Sequence, residues 1–191
     1  VLASYATTEP AAGSDVAGLQ CRAVQKGDEW ILNGQKCFIT NASLARWYVI
    51  FATVDPTQKH KGIMAFVVDR DTPGLSIGKK EDKLGMRASD TSEVIFDQCR
   101  VPSDQLLGEE GQGFINTLQV LDGGRIGIAA LAVGLAQGAY EAALAYAKER
   151  RQFGQAIAEF QGIQFMLADN ATRIEAARLL TYRAAYLRDQ G

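Results

Sequence analysis

Apolar and polar positions follow two different periods along the chain. Residues 1 to about 101 carry short runs of β-branched, aromatic and aliphatic residues separated by turn-forming pairs. Residues 19–26 and 29–33 flank Gly27-Asp28, a hairpin signal, and Asn33-Gly34 predicts a second turn leading into residues 35–40. Residues 47–54 read as a strand buried on both faces, with residues 62–69 as its neighbour. Residues 74–78, after Thr72-Pro73, and residues 92–97 complete the set. Short strands with a turn signal every eight to twelve residues or so predict a closed barrel or a sandwich.

After Pro102 the period changes to that of helices. A polar, glycine-rich transition places a boundary near Gly108, giving a β domain over residues 1–108 and a helical one over 109–191. The pattern predicts a short helix over 114–121, a break at Gly123-Gly124, and a long helix to about Arg151. Between Ile126 and Tyr140 only Gln137 is polar, so that part is expected to be buried on most sides. Arg150-Arg-Gln-Phe-Gly154 ends it, and a second helix follows over 161–188. Asp169 with Arg173, and Glu175 with Arg178, are spaced to pair on its outer face. Two antiparallel helices with single apolar stripes cannot cover each other and resemble half of a four-helix bundle. The fold class is thus α+β.

Composition narrows the function. A net charge of −2, with 47% hydrophobic and 22% charged residues, shows no basic patch for nucleic acid. Cys21, Cys37 and Cys99 are widely spaced, and with the single histidine His60 they make no metal pattern, so buried free thiols in a reducing compartment are expected. No uninterrupted apolar run of membrane-spanning length and no signal peptide are read. The start at Val1, without an initiator Met, and the stop at Gly191 inside a helical pattern suggest a piece of a longer chain. Lys59-His60-Lys61 reads as a solvated loop tip, and Arg87 is expected to reach Asp90 across a turn.

The stretch Tyr5-Ala-Thr-Thr-Glu-Pro-Ala-Ala-Gly-Ser-Asp15 breaks from strand into a small-residue loop flanked by hydroxyls. It is either an ordinary Asx/Ser turn or a surface on which a flat polar ligand meets backbone N–H groups and hydroxyls. Arg125 is a cation in an almost wholly apolar helical region and requires a carboxylate or an anionic ligand.

That stretch, together with Asn33-Gly-Gln-Lys-Cys-Phe-Ile-Thr-Asn41, Gly85-Met-Arg-Ala-Ser-Asp-Thr91, Asp122-Gly-Gly-Arg125, Arg150-Arg-Gln-Phe-Gly154 and Gln161-Gly-Ile-Gln-Phe165, resembles the acyl-CoA dehydrogenases, most closely their short- and medium-chain branch. The resemblance covers essentially the whole chain and implies an antiparallel β-barrel domain followed by half of an up-and-down four-helix bundle. It implies FAD as cofactor, lined by Tyr5, Thr7, Thr8, Gly13, Ser14, Phe38, Ile39 and Thr40. Thr40 is expected to donate a hydrogen bond at flavin N5, and Phe38 stands where the family usually has Trp. Arg150, Gln152, Phe153 and Gln161 correspond to positions that reach FAD from a neighbouring subunit or lie near its adenosine end. Ser14, Asp122, Gly123, Gly124 and Arg125 correspond to acyl-CoA contacts.

The implied reaction is α,β-dehydrogenation of an acyl-CoA thioester, with electrons passed to an electron-transferring flavoprotein. The implied assembly is a homotetramer, a dimer of dimers, in a bacterial cytoplasm or a mitochondrial matrix. Gly124 occupies the position where some branches carry the catalytic base, so no catalytic residue is expected within residues 1–191. An acyl-CoA oxidase on the same scaffold and a non-catalytic flavin- or CoA-binding scaffold are the alternatives. Acyl chain length is not read from these residues.

Overall fold

The structure, a computed structural model, describes all 191 residues and divides into two compact units, Val1–Leu118 and Gln119–Gly191. The first unit is built on a seven-stranded sheet. Its strands are β1 (Ala3–Ala6), β2 (Arg22–Lys26), β3 (Glu29–Thr40), β4 (Trp47–Thr53), β5 (Ile63–Asp69), β6 (Leu75–Lys80) and β7 (Thr91–Pro102). The strand path β1-β4-β2-β3-β7-β6, with β5 on β4, does not close on itself, so the expected barrel is an open one. The sheet is also mixed. β1 runs parallel to β4, from Ala3 opposite Trp47 to Ala6 opposite Ile50, and β2 meets β4 in parallel at Arg22 and Thr53.

The Gly27-Asp28 hairpin forms as expected, with Lys26 opposite Glu29 and Gly27 at φ +64°. Asn33-Gly34 is not a turn. β3 runs through it as one strand, and its register against β7 shifts between Leu32 and Gly34. The Asn33 side-chain oxygen accepts from the Gln98 backbone N–H at 2.8 Å, a side chain standing in for the lost ladder bond. Gly34, at φ +150°, allows β2 to close in, since a Cβ there would lie 2.8 Å from Cys21 Cα.

β4 is apolar at successive positions because both of its faces are covered. Tyr48, Ile50 and Ala52 join the larger core with Trp30, Leu32, Phe66 and Val94. Phe51 joins a second cluster with Leu19, Ile63 and Ala65, against which Tyr5, Val49 and Phe114 pack.

The helices are α1 (Gly113–Glu149), whose first turns belong to the first unit, and α2 (Gln161–Gln190). α1 runs unbroken through Gly123-Gly124, where a break was expected. Each glycine costs a helix about 1 kcal/mol, less than the cooperative gain of continuing a long one. α1 ends before Arg150, and a two-residue turn at Phe153 (φ +49°) and Gly154 (φ +83°) joins β8 (Arg151–Gln152) to β9 (Gln155–Ala156).

Within the second unit the helices run antiparallel, with Arg178 donating to Gln137 Oε1 at 2.9 Å and the Arg188 guanidinium lying against Gly123. They bound a groove of about 580 Å³ lined by Ala136, Tyr140, Leu167 and Ile174 among others. The expected all-round burial of α1 is not met within this unit, since Leu131 is 62% and Leu135 76% exposed. Glu175 and Arg178 pair at 3.3 Å, whereas Asp169 and Arg173 do not. By length and composition alone α1 would suffice to cross a bilayer, a test that the core helix of a soluble protein also passes, although Asp122, Arg125 and Gln137 interrupt its apolar run.

Candidate functional site

The site begins at a bulge in the pairing of β3 with β7. Their ladder is interrupted between Lys36 and Ile39, and the freed Cys37 N–H donates instead to the Thr8 carbonyl at 2.9 Å. Pairing with β7 resumes at Ile39, opposite Ser92, so at the bulge β3 touches both β7 and the segment that continues β1. Phe38 sits at the bulge with φ +57°, unusual for a bulky residue, and its ring is 63% exposed. Ile39 turns into the core, and Thr40 is exposed, its carbonyl held by the Ser4 hydroxyl at 2.7 Å. Phe38 and Thr40 therefore face outward, on the backbone that Ser4 and Thr8 hold.

The facing segment is equally constrained. Glu9 and Ala12 exchange backbone hydrogen bonds of 2.9 and 3.2 Å around Pro10-Ala11, which leaves Gly13 and Ser14 exposed beyond the turn. Thr7 is buried with its hydroxyl unpartnered, and so is the Tyr5 hydroxyl, although the Tyr5 ring packs on Phe51 with centroids 5.0 Å apart. Such orphaned groups are uncommon in a finished structure and mark places where a ligand can bond.

Beneath this surface lies a buried ion pair that the sequence reading did not anticipate. Lys36 Nζ donates to Glu9 Oε1 at 2.7 Å and to the Thr7 carbonyl at 3.1 Å, with Lys36 fully buried. The Glu9 carboxylate also accepts from the backbone N–H groups of Gln20 (2.6 Å) and Cys21 (3.0 Å). Removing either partner would strand a buried charge at a cost of roughly 3–5 kcal/mol. The available signal was a lysine directly ahead of the apolar run Cys37-Phe38-Ile39, with a glutamate that Pro10 biases toward extended geometry.

Beyond Thr40 the chain is held by Asp90. Its carbonyl accepts from Asn41 N–H at 2.9 Å and its carboxylate from Ser43 N–H at 2.8 Å. Burial pushes the Asp90 carboxyl upward, but the Ser43 hydrogen bonds and nearby Lys80 outweigh it and hold it below the usual range. The expected Arg87–Asp90 contact is absent, and Arg87 donates to the Lys83 carbonyl at 2.9 Å. Burial raises the Cys21 and Cys99 thiols to about 11, which keeps them protonated and unreactive.

In the second unit, Asp122, Gly123, Gly124 and Arg125 follow one another along α1. Arg125 is 77% exposed, with Asp122 3.8 Å away, so the costly buried cation expected from the sequence does not arise here. Arg150 is exposed. Gln152 and Phe153 are also exposed, on the β8–β9 hairpin, with the Phe153 ring edge-on to Phe160 at 6.2 Å, and Gln161 opens α2.

Comparison with known proteins places this geometry. Residues 4–99 match the acyl-CoA dehydrogenase middle domain, and residues 111–191 match the C-terminal domain. The chain belongs to the acyl-CoA dehydrogenase family. It is 52% identical over 190 residues to the "Probable acyl-CoA dehydrogenase fadE25" of Mycobacterium leprae, covering all of this chain and 49% of that one. Butyryl-CoA dehydrogenase from Megasphaera elsdenii has the same fold, with 46% identity and a TM-score of 0.97 over all of this chain and 50% of that one. A chain in the structure described for the electron transferring flavoprotein of Acidaminococcus fermentans is 52% identical, again with a TM-score of 0.97, over all of this chain and 50% of its own length. The chain thus spans about half the length of the curated relatives it matches.

An outward-facing aromatic ring, the exposed Thr40 and the unpartnered Thr7 and Tyr5 hydroxyls could hold a flat, heteroatom-rich ring, offering it an apolar face and hydroxyl donors.

Proposed function

We propose that the full-length protein is an FAD-dependent acyl-CoA dehydrogenase that introduces an α,β double bond into an acyl-CoA thioester and passes the electrons to an electron-transferring flavoprotein. The observation that carries the proposal is the bulge of β3 between Lys36 and Ile39, tied to the Thr7-Thr8 segment through the Cys37 N–H and presenting Phe38 and Thr40 outward. When bound, the flavin would supply the hydride acceptor, at N5. Thr40 would donate its hydroxyl there, stabilising the charge that develops on the ring. Phe38 would cover one ring face and exclude water, with less area than an indole. Thr7, Thr8, Gly13 and Ser14 would hold the ring edge and ribityl chain, with Tyr5 and Ile39 packed behind them.

Ser14 and the Asp122–Arg125 segment would meet the acyl-CoA. Arg150, Gln152, Phe153 and Gln161 would reach the FAD of a neighbouring subunit in a homotetramer, with Arg150 offering its planar fork of donors to the pyrophosphate. Residues 1–191 supply no general base in this reading. A glutamate from the remainder of the chain would take the α-proton. The setting would be a bacterial cytoplasm or a mitochondrial matrix.

The deciding experiment is an anaerobic titration of the full-length protein with acyl-CoAs of increasing length, following flavin absorbance. The protein is expected to purify yellow and to bleach stoichiometrically with its preferred thioester. A colourless protein that cannot be reconstituted with FAD would sink the reading. Rapid reoxidation of the reduced protein by oxygen, rather than by a flavoprotein acceptor, would make it an oxidase.

A further inference from the structure

Lys36 and Glu9 are buried charges in a sheet that could fill the same space with apolar side chains at equal or better stability. Their bonds run to a particular place. Lys36 Nζ spends its two hydrogen bonds on the Thr7 carbonyl and on Glu9, both in the hydroxyl-bearing segment. The next residue, Cys37, holds the Thr8 carbonyl. Glu9 is anchored from the other side by the N–H groups of Gln20 and Cys21, just ahead of β2. Two distant segments, residues 36–37 of β3 and residues 20–21, therefore converge on the stretch from Thr7 to Glu9, beside the bulge that turns Phe38 outward.

We propose that the Glu9–Lys36 pair is a positioning element for the flavin site, fixing the Thr7-Thr8 backbone against the Phe38–Thr40 bulge so that ring-facing groups are aligned before the cofactor arrives. An apolar pair would pack as well but would carry no directional bond to the Thr7 carbonyl, so the threonine segment would lose its registration while the core stayed full. The inference rests on the flavin reading above and concerns only what holds that site in shape.

The test compares full-length wild-type protein with E9Q/K36M, with K36M, and with E29Q as a control at the exposed Glu29–Arg100 pair on the same strand. Each is stripped of flavin, its melting temperature recorded, and then titrated with FAD while the visible spectrum and the flavin reduction potential are read. The double variant, which leaves no stranded charge, is expected to melt close to wild type as apoprotein. It should bind FAD about tenfold or more weakly, with a displaced absorption band and a shifted potential. K36M should be worse in both stability and binding, and E29Q should match wild type.

FAD affinity within about twofold of wild type, with an unchanged spectrum and potential in the double variant, would overturn the proposal. So would weaker binding fully accounted for by lost apoprotein stability. E9Q alone, which keeps one acceptor, carries the comparison if the double variant does not fold, and failure of both to fold would make the pair a requirement of the fold rather than of the site. A wild-type protein that binds no FAD would remove the flavin reading itself, a result separate from any difference among the variants.

Discussion

Thr40 separates what the fold needs from what the proposed site would use. Its carbonyl is held by Ser4, while its hydroxyl is exposed and plays no part in the core. Thr40→Val should therefore change apoprotein stability by less than about 0.5 kcal/mol. In stopped-flow reduction of the full-length enzyme it should slow flavin reduction by roughly tenfold or more, because a donor aimed at developing charge is lost. Asp90 is the opposite case, a side chain the fold needs. Its folded-state pKa lies below the ordinary aspartate value, so its contribution is fully present above about pH 4 and is lost as pH falls through the depressed value. Urea midpoints measured from pH 7 down to pH 3 should drop along an acid limb in the wild type. Asp90→Asn should be less stable than wild type near neutrality and should lose less on acidification.

At the scale of elements, β3 is where local signals were strongest and most easily misread. The Gly27-Asp28 hairpin was legible because a two-residue turn with positive φ is written in adjacent residues. Asn33-Gly34 carries the same kind of signal and serves a bulge instead, because β7 continues alongside and Asn33 can cap the Gln98 N–H. Gly34→Ala would drive a Cβ to 2.8 Å from the Cys21 backbone at φ +150°. Its urea midpoint should fall by the equivalent of roughly 2–4 kcal/mol, a far larger loss than Gly-to-Ala changes cause in open positions. Gly123-Gly124 misled in the other direction, since two glycines read as a break in isolation are carried along by the helix around them.

At the scale of the molecule, the second unit leaves more apolar surface uncovered than a stable domain tolerates. Leu131 and Leu135 on α1 and Phe165, Leu179 and Leu180 on α2 are all exposed, and a groove of about 580 Å³ lies between the helices. Because the chain spans about half the length of its curated relatives, the full-length protein is expected to cover these faces. Hydrogen exchange over residues 126–140 should accordingly be much slower in the full-length protein than in residues 1–191 alone. The isolated stretch should bind a hydrophobic dye that the full-length protein excludes. Equal protection in both would show that α1 needs no further partner.

The candidate-site residues were named only through the resemblance of their motifs to a family, whereas the sequence by itself determined the strands of the first unit and the two long helices. Each of these is encoded in side-chain period or in turn chemistry over a few neighbouring residues. The tertiary structure alone decided the parallel pairing of β1 with β4, the bond from Cys37 to Thr8 at the β3 bulge, and the meeting of Glu9 with Lys36, 27 residues apart. Such contacts depend on which distant segments arrive side by side, and a buried charge reveals its purpose only when the opposite charge is found beside it.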